Sequence, residues 1–312
     1  MTKIHPKRAP SLLERAAQVY DFSEHLRRQD DAPMPPMTPA LVPPVPPVEP
    51  VFAADVPEEF RASLARGEVA AIDRMMLAQN GMIVPGAPVG PLAEEFRLVK
   101  RQLNLVRQRI AESDAPAKAR TILVCSARPR DGKTFTAINL ALSLAAERDT
   151  EVLLVDADFA KPDIMAQLGV DEGSGLLDAL ADSHLDVETL IVPTDVPNLS
   201  LLPAGTKTST DTELLASART RAVLARLLSA NPNRLVIFDS PPALAASPAS
   251  VLAMLVGQVM LVVRADLTPE SELRAAVQLL DGCEHIQLVL NAVSFVPGGA
   301  RFGSYYDQES SQ

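Results

Sequence analysis

Beyond Pro116, five short runs are apolar at almost every position: Ile122–Cys125, Val152–Val155, Leu235–Phe238, Val259–Val263 and Ile286–Leu290. Stretches with helical periodicity separate them. A strand with one wet face alternates apolar and polar residues, whereas unbroken apolarity marks a strand covered on both faces. Helices that connect successive strands and cover both faces require crossovers, so the expected fold is α/β, with a doubly wound, mostly parallel sheet. A chain of 312 residues holds one such domain of ordinary size together with extensions.

The extensions lie on both sides of that domain. Residues 1–30 contain an amphipathic pattern from Ser11 to Arg28, with Leu12, Leu13, Ala16, Val19, Tyr20 and Phe22 among charges, Ser11 as N-cap and Glu14 three residues on. A docking helix and a helix that folds back on the body are equally compatible with it. Residues 31–57 are so rich in proline that helix and sheet are both excluded, which leaves an extended linker. Residues 58–115 are expected to be helical, as one helix over Glu58–Gln79 and a stronger one over Leu92–Ile110 that aligns Phe96, Val99, Leu103 and Val106. The core domain is then 116–292, and 293–312 is a glycine- and serine-bearing tail without periodicity, expected to be flexible.

Charge and cysteine usage narrow the setting. A net charge of −10, with acidic residues spread along the chain, argues against a general nucleic-acid binder, whose affinity comes from neutralised phosphates. Cys125 and Cys283 stand far apart without metal-ligand spacing and read as reduced core thiols of a cytoplasmic protein. The N-terminus lacks an apolar signal core, and the longest apolar run, Val251–Val263, is broken by Gly257 and Gln258 and is too short to cross a bilayer. Membrane association would therefore need a partner or a surface-lying helix.

The chemistry concentrates around the first strand. Ala127-Arg128-Pro129-Arg130-Asp131-Gly132-Lys133-Thr134 comes directly after an apolar run and precedes a helical pattern, Phe135–Ala146. In that context successive loop N–H groups and the helix N-terminus point at phosphate oxygens, Lys133 reaches the β- and γ-phosphates, and the Thr134 hydroxyl ligates Mg2+. The expected ligand is a nucleoside triphosphate with magnesium, foremost ATP. Two more runs end in carboxylates, at Asp156 and Asp158 and at Asp239, and strand C-terminal ends are where open α/β sheets bind ligands. Any one of these aspartates alone serves equally well as a helix cap or turn former. Three converging on a phosphate loop call for a cation. Asp158 and Asp239 are assigned to the metal shell and Asp156 to the base, roles that spacing alone leaves interchangeable.

Taken together, these motifs resemble the bacterial tyrosine kinases of the CpsD/CapB type in the MinD/ParA-like P-loop superfamily, most closely the exosortase (XrtA)-associated tyrosine autokinases. The resemblance spans Glu94 to Asn291. It rests on Ser126–Ala141, Leu154–Asp158, Phe238–Pro242, Leu201–Gly205, Glu213–Ser217 and Val289–Asn291. It implies a Walker A loop over Ala127–Thr134, with Phe135 beside it, a second motif at Asp156 and Asp158, a Walker B at Asp239, and an adenine contact from Asn291. It further implies an ATP-dependent tyrosine autokinase that phosphorylates tail tyrosines, here Tyr305 and Tyr306, and regulates exopolysaccharide synthesis and export. A membrane-embedded polysaccharide chain-length regulator would be the activator, holding the protein at the inner face of the plasma membrane. Glu94, Arg97 and Lys100 nearly match the family's Glu-x-x-Arg-x-x-Arg helix for ring-like self-association, although such a charged stripe is ordinarily a solvated face.

Three positions depart from the family pattern: Arg130 stands for a loop glycine, Ala160 for an arginine with Lys161 beside it, and only two tyrosines occupy the tail. Arg130 implies either a loop that needs no positive φ there or an altered loop. Two other readings are a MinD/ParA-type ATPase without kinase activity and an ATP-binding scaffold that has lost catalysis. Against the ATPase, Arg128 holds the place of that group's lysine, and the chain lacks a basic amphipathic C-terminal helix. Against the scaffold, Lys133, Thr134 and all three aspartates are retained.

Overall fold

A computed structural model of the chain describes residues 69–113 and 115–293. The expected helix of residues 1–30, the linker of 31–57, the stretch 58–68 and the tail past Val293 lie outside the described residues. In chain order the elements are α1 (Arg74–Gln79), α2 (Pro91–Ala111), a 3-10 turn (Pro116–Arg120), β1 (Thr121–Ser126), α3 (Lys133–Ala145), β2 (Glu151–Asp156), α4 (Ile164–Leu168) and α5 (Leu176–Ala181). A second 3-10 turn (Val187–Leu190), β3 (Val192–Pro193), β4 (Leu199–Leu202), α6 (Asp211–Ala216), α7 (Ala218–Ala230), β5 (Arg234–Asp239), α8 (Pro248–Ala253), β6 (Gln258–Arg264), α9 (Glu270–Leu279) and β7 (Ile286–Asn291) complete the domain.

The seven strands form one sheet in the order β3-β4-β2-β5-β1-β6-β7. Every neighbouring pair is parallel except β3 with β4, which is the doubly wound, mostly parallel sheet expected from the apolar runs. Side chains of successive strand residues go to opposite faces, and two apolar clusters result. Leu123, Cys125, Leu153, Val155, Val236 and Phe238 face one, which α5, α7 and α8 cover through Leu176, Val223, Leu227 and Leu252. Ile122, Val124, Val152, Leu154, Leu235 and Ile237 face the other, covered by α3 and by Phe96 and Leu103 of α2. Each fully buried leucine among them contributes roughly 1.5–3 kcal/mol, so central strands and flanking helices hold one another in place. Cys125 and Cys283 are free, buried thiols, and burial raises both pKa values, which keeps them protonated and unreactive.

Two expectations need correction. The helix predicted over Glu58–Gln79 is confined, among the described residues, to Arg74–Gln79. Ala70 instead bridges Thr194, and the Ile72 N–H donates to Asp195 Oδ1 at 3.0 Å. Pairing with a distant segment overrides the local helical preference of the two alanines, and Asp73 starts the helix by accepting from the Met76 N–H. The charged positions of α2 also separate. Arg97 is paired with Glu94, whereas Lys100 turns inward, 3.1 Å from Glu147 and 3.0 Å from the Ser143 carbonyl. Lys100 therefore ties α2 to the end of α3, and the three do not make one outward-facing stripe.

Candidate nucleotide site

The sheet order brings the motif-bearing strand ends together. β5 lies between β1 and β2, and the register sets Asp239 beside Val124 on one side and Asp156 on the other. The loop from Ala127 to Gly132 leaves β1 at the same edge and feeds α3, whose first residues are Lys133 and Thr134. Lys133 Nζ is 2.7 Å from Asp158 Oδ2 and 3.3 Å from Thr134 Oγ1. The Thr134 hydroxyl lies near enough to Asp239 to favour its ionised form. Residues that are distant in sequence thus form one polar cluster: Lys133, Thr134, Asp156, Asp158 and Asp239.

The three carboxylates are held differently. Asp156 is fully buried. Its Oδ1 accepts the Asp158 N–H at 3.1 Å, and its Oδ2 accepts the N–H groups of Asp163 and Ile164, both at 3.0 Å. It therefore shapes the segment 157–164 as well as lining the site. Burial pushes its carboxyl up to about 6, the three N–H donors working against the rise. Asp239 is buried too, and its pKa reaches about 7, because burial outweighs the Lys133 ammonium and the Thr134 hydroxyl. Burial would lower the Lys133 pKa, but Asp239, Asp158 and Asp156 together hold it above its ordinary value. Lys133 is thus a fixed positive charge where phosphate oxygens would sit.

The loop is curled and braced from outside. Arg130 has φ +69 and Gly132 φ +99, so the chain turns left-handed twice around Asp131, the kind of backbone nest that gathers N–H groups toward an anion. Arg130 thus adopts the left-handed conformation that glycine enters most readily, so the loop needs a positive φ there and the arginine supplies it. A Cβ at Gly132 would lie 2.0 Å from Asn291 Nδ2, so glycine is required there on two counts. Asn291 donates to the Asp131 carbonyl at 2.9 Å, which places the residue expected at adenine against the loop backbone. Asp131 accepts from the Arg128 N–H at 3.0 Å and the Thr268 hydroxyl at 3.2 Å. Arg264 donates to the Arg130 carbonyl at 2.9 Å, and Arg128 pairs with Glu272 of α9 at 3.0 Å. Thr268, Arg264 and Glu272 were not singled out in the sequence. They lie more than 130 residues from the loop, and no spacing rule links them to it.

The donor set fits a magnesium ion carried in with phosphates. Asp239 Oδ1 is buried without a hydrogen-bond partner, so one hard oxygen is available to a cation or its water shell. Among the described residues no group of three carboxylate, histidine or cysteine side chains forms a complete metal cage. Magnesium at such sites takes one or two protein ligands and completes its octahedron with phosphate and water oxygens. Tyr305 and Tyr306 lie outside the described residues. Among the described residues, no helix is long and apolar enough to cross a membrane.

Known proteins share this fold. The AAA domain family matches residues 119–292. Tyrosine-protein kinase wzc of Salmonella typhimurium is 26% identical over 233 residues, 74% of this chain and 31% of that protein. Putative tyrosine-protein kinase CapB of Staphylococcus aureus is 26% identical over 230 residues, 73% of this chain and 96% of CapB. The kinase domain of the Escherichia coli tyrosine kinase ETK is similar with a TM-score of 0.60 at 25% identity, over 78% of this chain and 89% of that domain. The chain spans about a third of the length of the Salmonella relative. The resemblance to bacterial tyrosine kinases drawn from the motifs holds, and the fold they share is one that binds nucleotide.

Proposed function

We propose, from the premise that this chain belongs to the AAA domain family and is related to bacterial tyrosine kinases, that it is an ATP-dependent protein-tyrosine autokinase acting on Tyr305 and Tyr306. The observation that carries the reading is the single cluster of Lys133, Thr134, Asp158 and Asp239 at the ends of β1, β2 and β5. Lys133 and the loop N–H groups of residues 130–134 hold the phosphates. Thr134, Asp158 and Asp239 hold magnesium, directly or through water. That ion, when bound, neutralises charge on the phosphate oxygens. Asp156, whose carboxyl lies at about 6, is ionised at neutral pH and takes the proton of the tyrosine hydroxyl. Asn291 borders the nucleotide from the far side of the loop. Asp156→Asn is expected to cut phosphotransfer by at least about a hundredfold while ATP binding persists. Near-normal turnover would remove Asp156 from the base role.

The likeness to the exosortase-associated autokinases extends the reading to control of exopolysaccharide synthesis and export. It adds self-association through α2 at Glu94 and Arg97, and an activating membrane-embedded chain-length regulator that recruits the protein to the inner face of the plasma membrane. The decisive experiment incubates the purified full chain with γ-labelled ATP and magnesium, beside Lys133→Met and Tyr305→Phe/Tyr306→Phe variants. Label on tyrosine, lost in both variants, is the expected result. Free phosphate without labelled protein would mean an ATPase instead, and nucleotide binding with neither product would mean a scaffold.

A further inference from the structure

Away from the phosphate loop, the described residues surround a cavity of about 700 Å3 near the C-terminal end of α3. Its walls come from the segment Met82–Gly90, from α2 and α3, and from Val196–Asn198 just before β4. Leu142, which lines it, is nine residues along α3 from Lys133, about 14 Å at helical rise. The nucleotide site lies at the other end of that helix, so the two sites do not overlap.

Each wall is tied to α3 by hydrogen bonds. Asn139 of α3 accepts the Ile83 N–H at 2.7 Å and donates to the Phe135 carbonyl at 2.7 Å. Lys100 of α2 donates to the Ser143 carbonyl at 3.0 Å, and the Asn198 side chain donates to the carbonyls of Ala145 and Glu147 at 3.2 and 3.1 Å. Bonds within the chain therefore fix the spacing of the walls, and the volume falls in the range of roughly 300–1,000 Å3 typical of small-molecule sites.

The lining states what such a molecule must be. Met82, Val84, Pro85, Val89, Leu142 and Val196 make it apolar, so water finds few partners there. Every charged residue that lines it is a cation, Arg97, Lys100 or Arg148, although the chain as a whole carries −10. Arg97 and Lys100 are already paired, with Glu94 and Glu147. Arg148 is exposed and, among the described residues, has no hydrogen bond or ion pair, which leaves its guanidinium open to an anion.

We propose that this cavity binds an amphiphilic anion, its apolar chain among Val84, Val89 and Leu142 and its carboxylate or phosphate at Arg148. A free fatty acid and an acyl chain of an anionic membrane lipid share that chemistry. Binding there requires neither kinase activity nor nucleotide.

The test adds cis-parinaric acid, a carboxylate whose emission rises in apolar surroundings, to the detergent-free full chain. Saturable binding is expected, weakened at least about tenfold by Ala87→Trp and by Ala146→Trp, which fill the cavity from exposed positions on two different walls. Arg148→Glu should weaken the acid by about fivefold and leave the corresponding uncharged alcohol unaffected, and urea unfolding should show all three variants folded. Absence of saturable binding would overturn the proposal, as would binding that both tryptophans leave unchanged. Displacement of the probe by ATP would also overturn it, because the probe would then sit in the nucleotide site. Sedimentation with phosphatidylglycerol vesicles that Ala87→Trp abolishes would identify a membrane lipid as the source. Sedimentation that is absent, or that Ala87→Trp leaves unchanged, would assign the cavity to a free amphiphile.

Discussion

Asp239 at the end of β5 combines near-total burial, an unpartnered carboxylate oxygen and a carboxyl raised to about 7. Folding without nucleotide therefore favours the protonated acid, whereas the unfolded chain ionises it near its ordinary 3.8. Between those values the native state holds a proton that the unfolded state has released. The stabilisation is fully present below about pH 4 and is lost as pH rises through 7. Asp156, at about 6, adds a slope of the same sign. Urea titrations of nucleotide-free protein are expected to show stability falling from pH 5 to pH 8, and Asp239→Asn should flatten that fall. A slope unchanged by the substitution would mean that Asp239 is ionised throughout. Arg130 lends itself to a separate test, because it holds a left-handed backbone that glycine adopts freely. Against an αL cost of about 1–2 kcal/mol for a non-glycine residue stands glycine's greater entropy loss of about 0.5–1 kcal/mol. Arg130→Gly should therefore stabilise the protein by up to about 1 kcal/mol in urea unfolding. The bond from Arg264 should survive, since it ends on a backbone carbonyl.

At the scale of elements, legibility depended on how locally each one was determined. β1, β2, β5 and β6 could be read because burial on both faces writes itself as unbroken apolarity; β7 was found by the same apolar run, although Leu288 and Leu290 leave one of its faces exposed. β3 and β4 could not. β3 is Val192–Pro193 alone, and β4 is the four residues Leu199–Leu202, entered from Asn198 at φ +63. Their pairing depends on partners rather than on pattern. The same holds for Val69–Ile72, where a bridge to Thr194 displaced an expected helix. In the site, the loop, Lys133, Thr134 and the three aspartates were legible from spacing, while the braces Arg264, Thr268 and Glu272 exist only once β6 and α9 come beside the loop. α2 was read correctly because its buried residues, Phe96, Leu103 and Ile110, recur every seven positions on one face. That face carries the helix's attachment to the body. Leu103→Ala is expected to cost about 2–4 kcal/mol in urea unfolding, and Leu105→Ala, on the exposed side, less than about 0.5 kcal/mol. Equal costs would mean that α2 is not anchored through Leu103.

For the molecule as a whole, the question is whose site a tail tyrosine enters. The fourteen residues from Asn291 to Tyr305 can extend at most about 45–50 Å, enough for either the chain's own loop or a neighbour's. Complementation of two variants separates the two routes, with transfer between chains as the expected one. Mixing Lys133→Met, which keeps its tyrosines but lacks the phosphate-binding lysine, with Tyr305→Phe/Tyr306→Phe, which keeps its site but lacks acceptors, should place label on the Lys133→Met chain. The yield per chain should rise with total protein concentration. Wild-type labelling that is independent of concentration, with none transferred in the mixture, would show that the tail serves its own site.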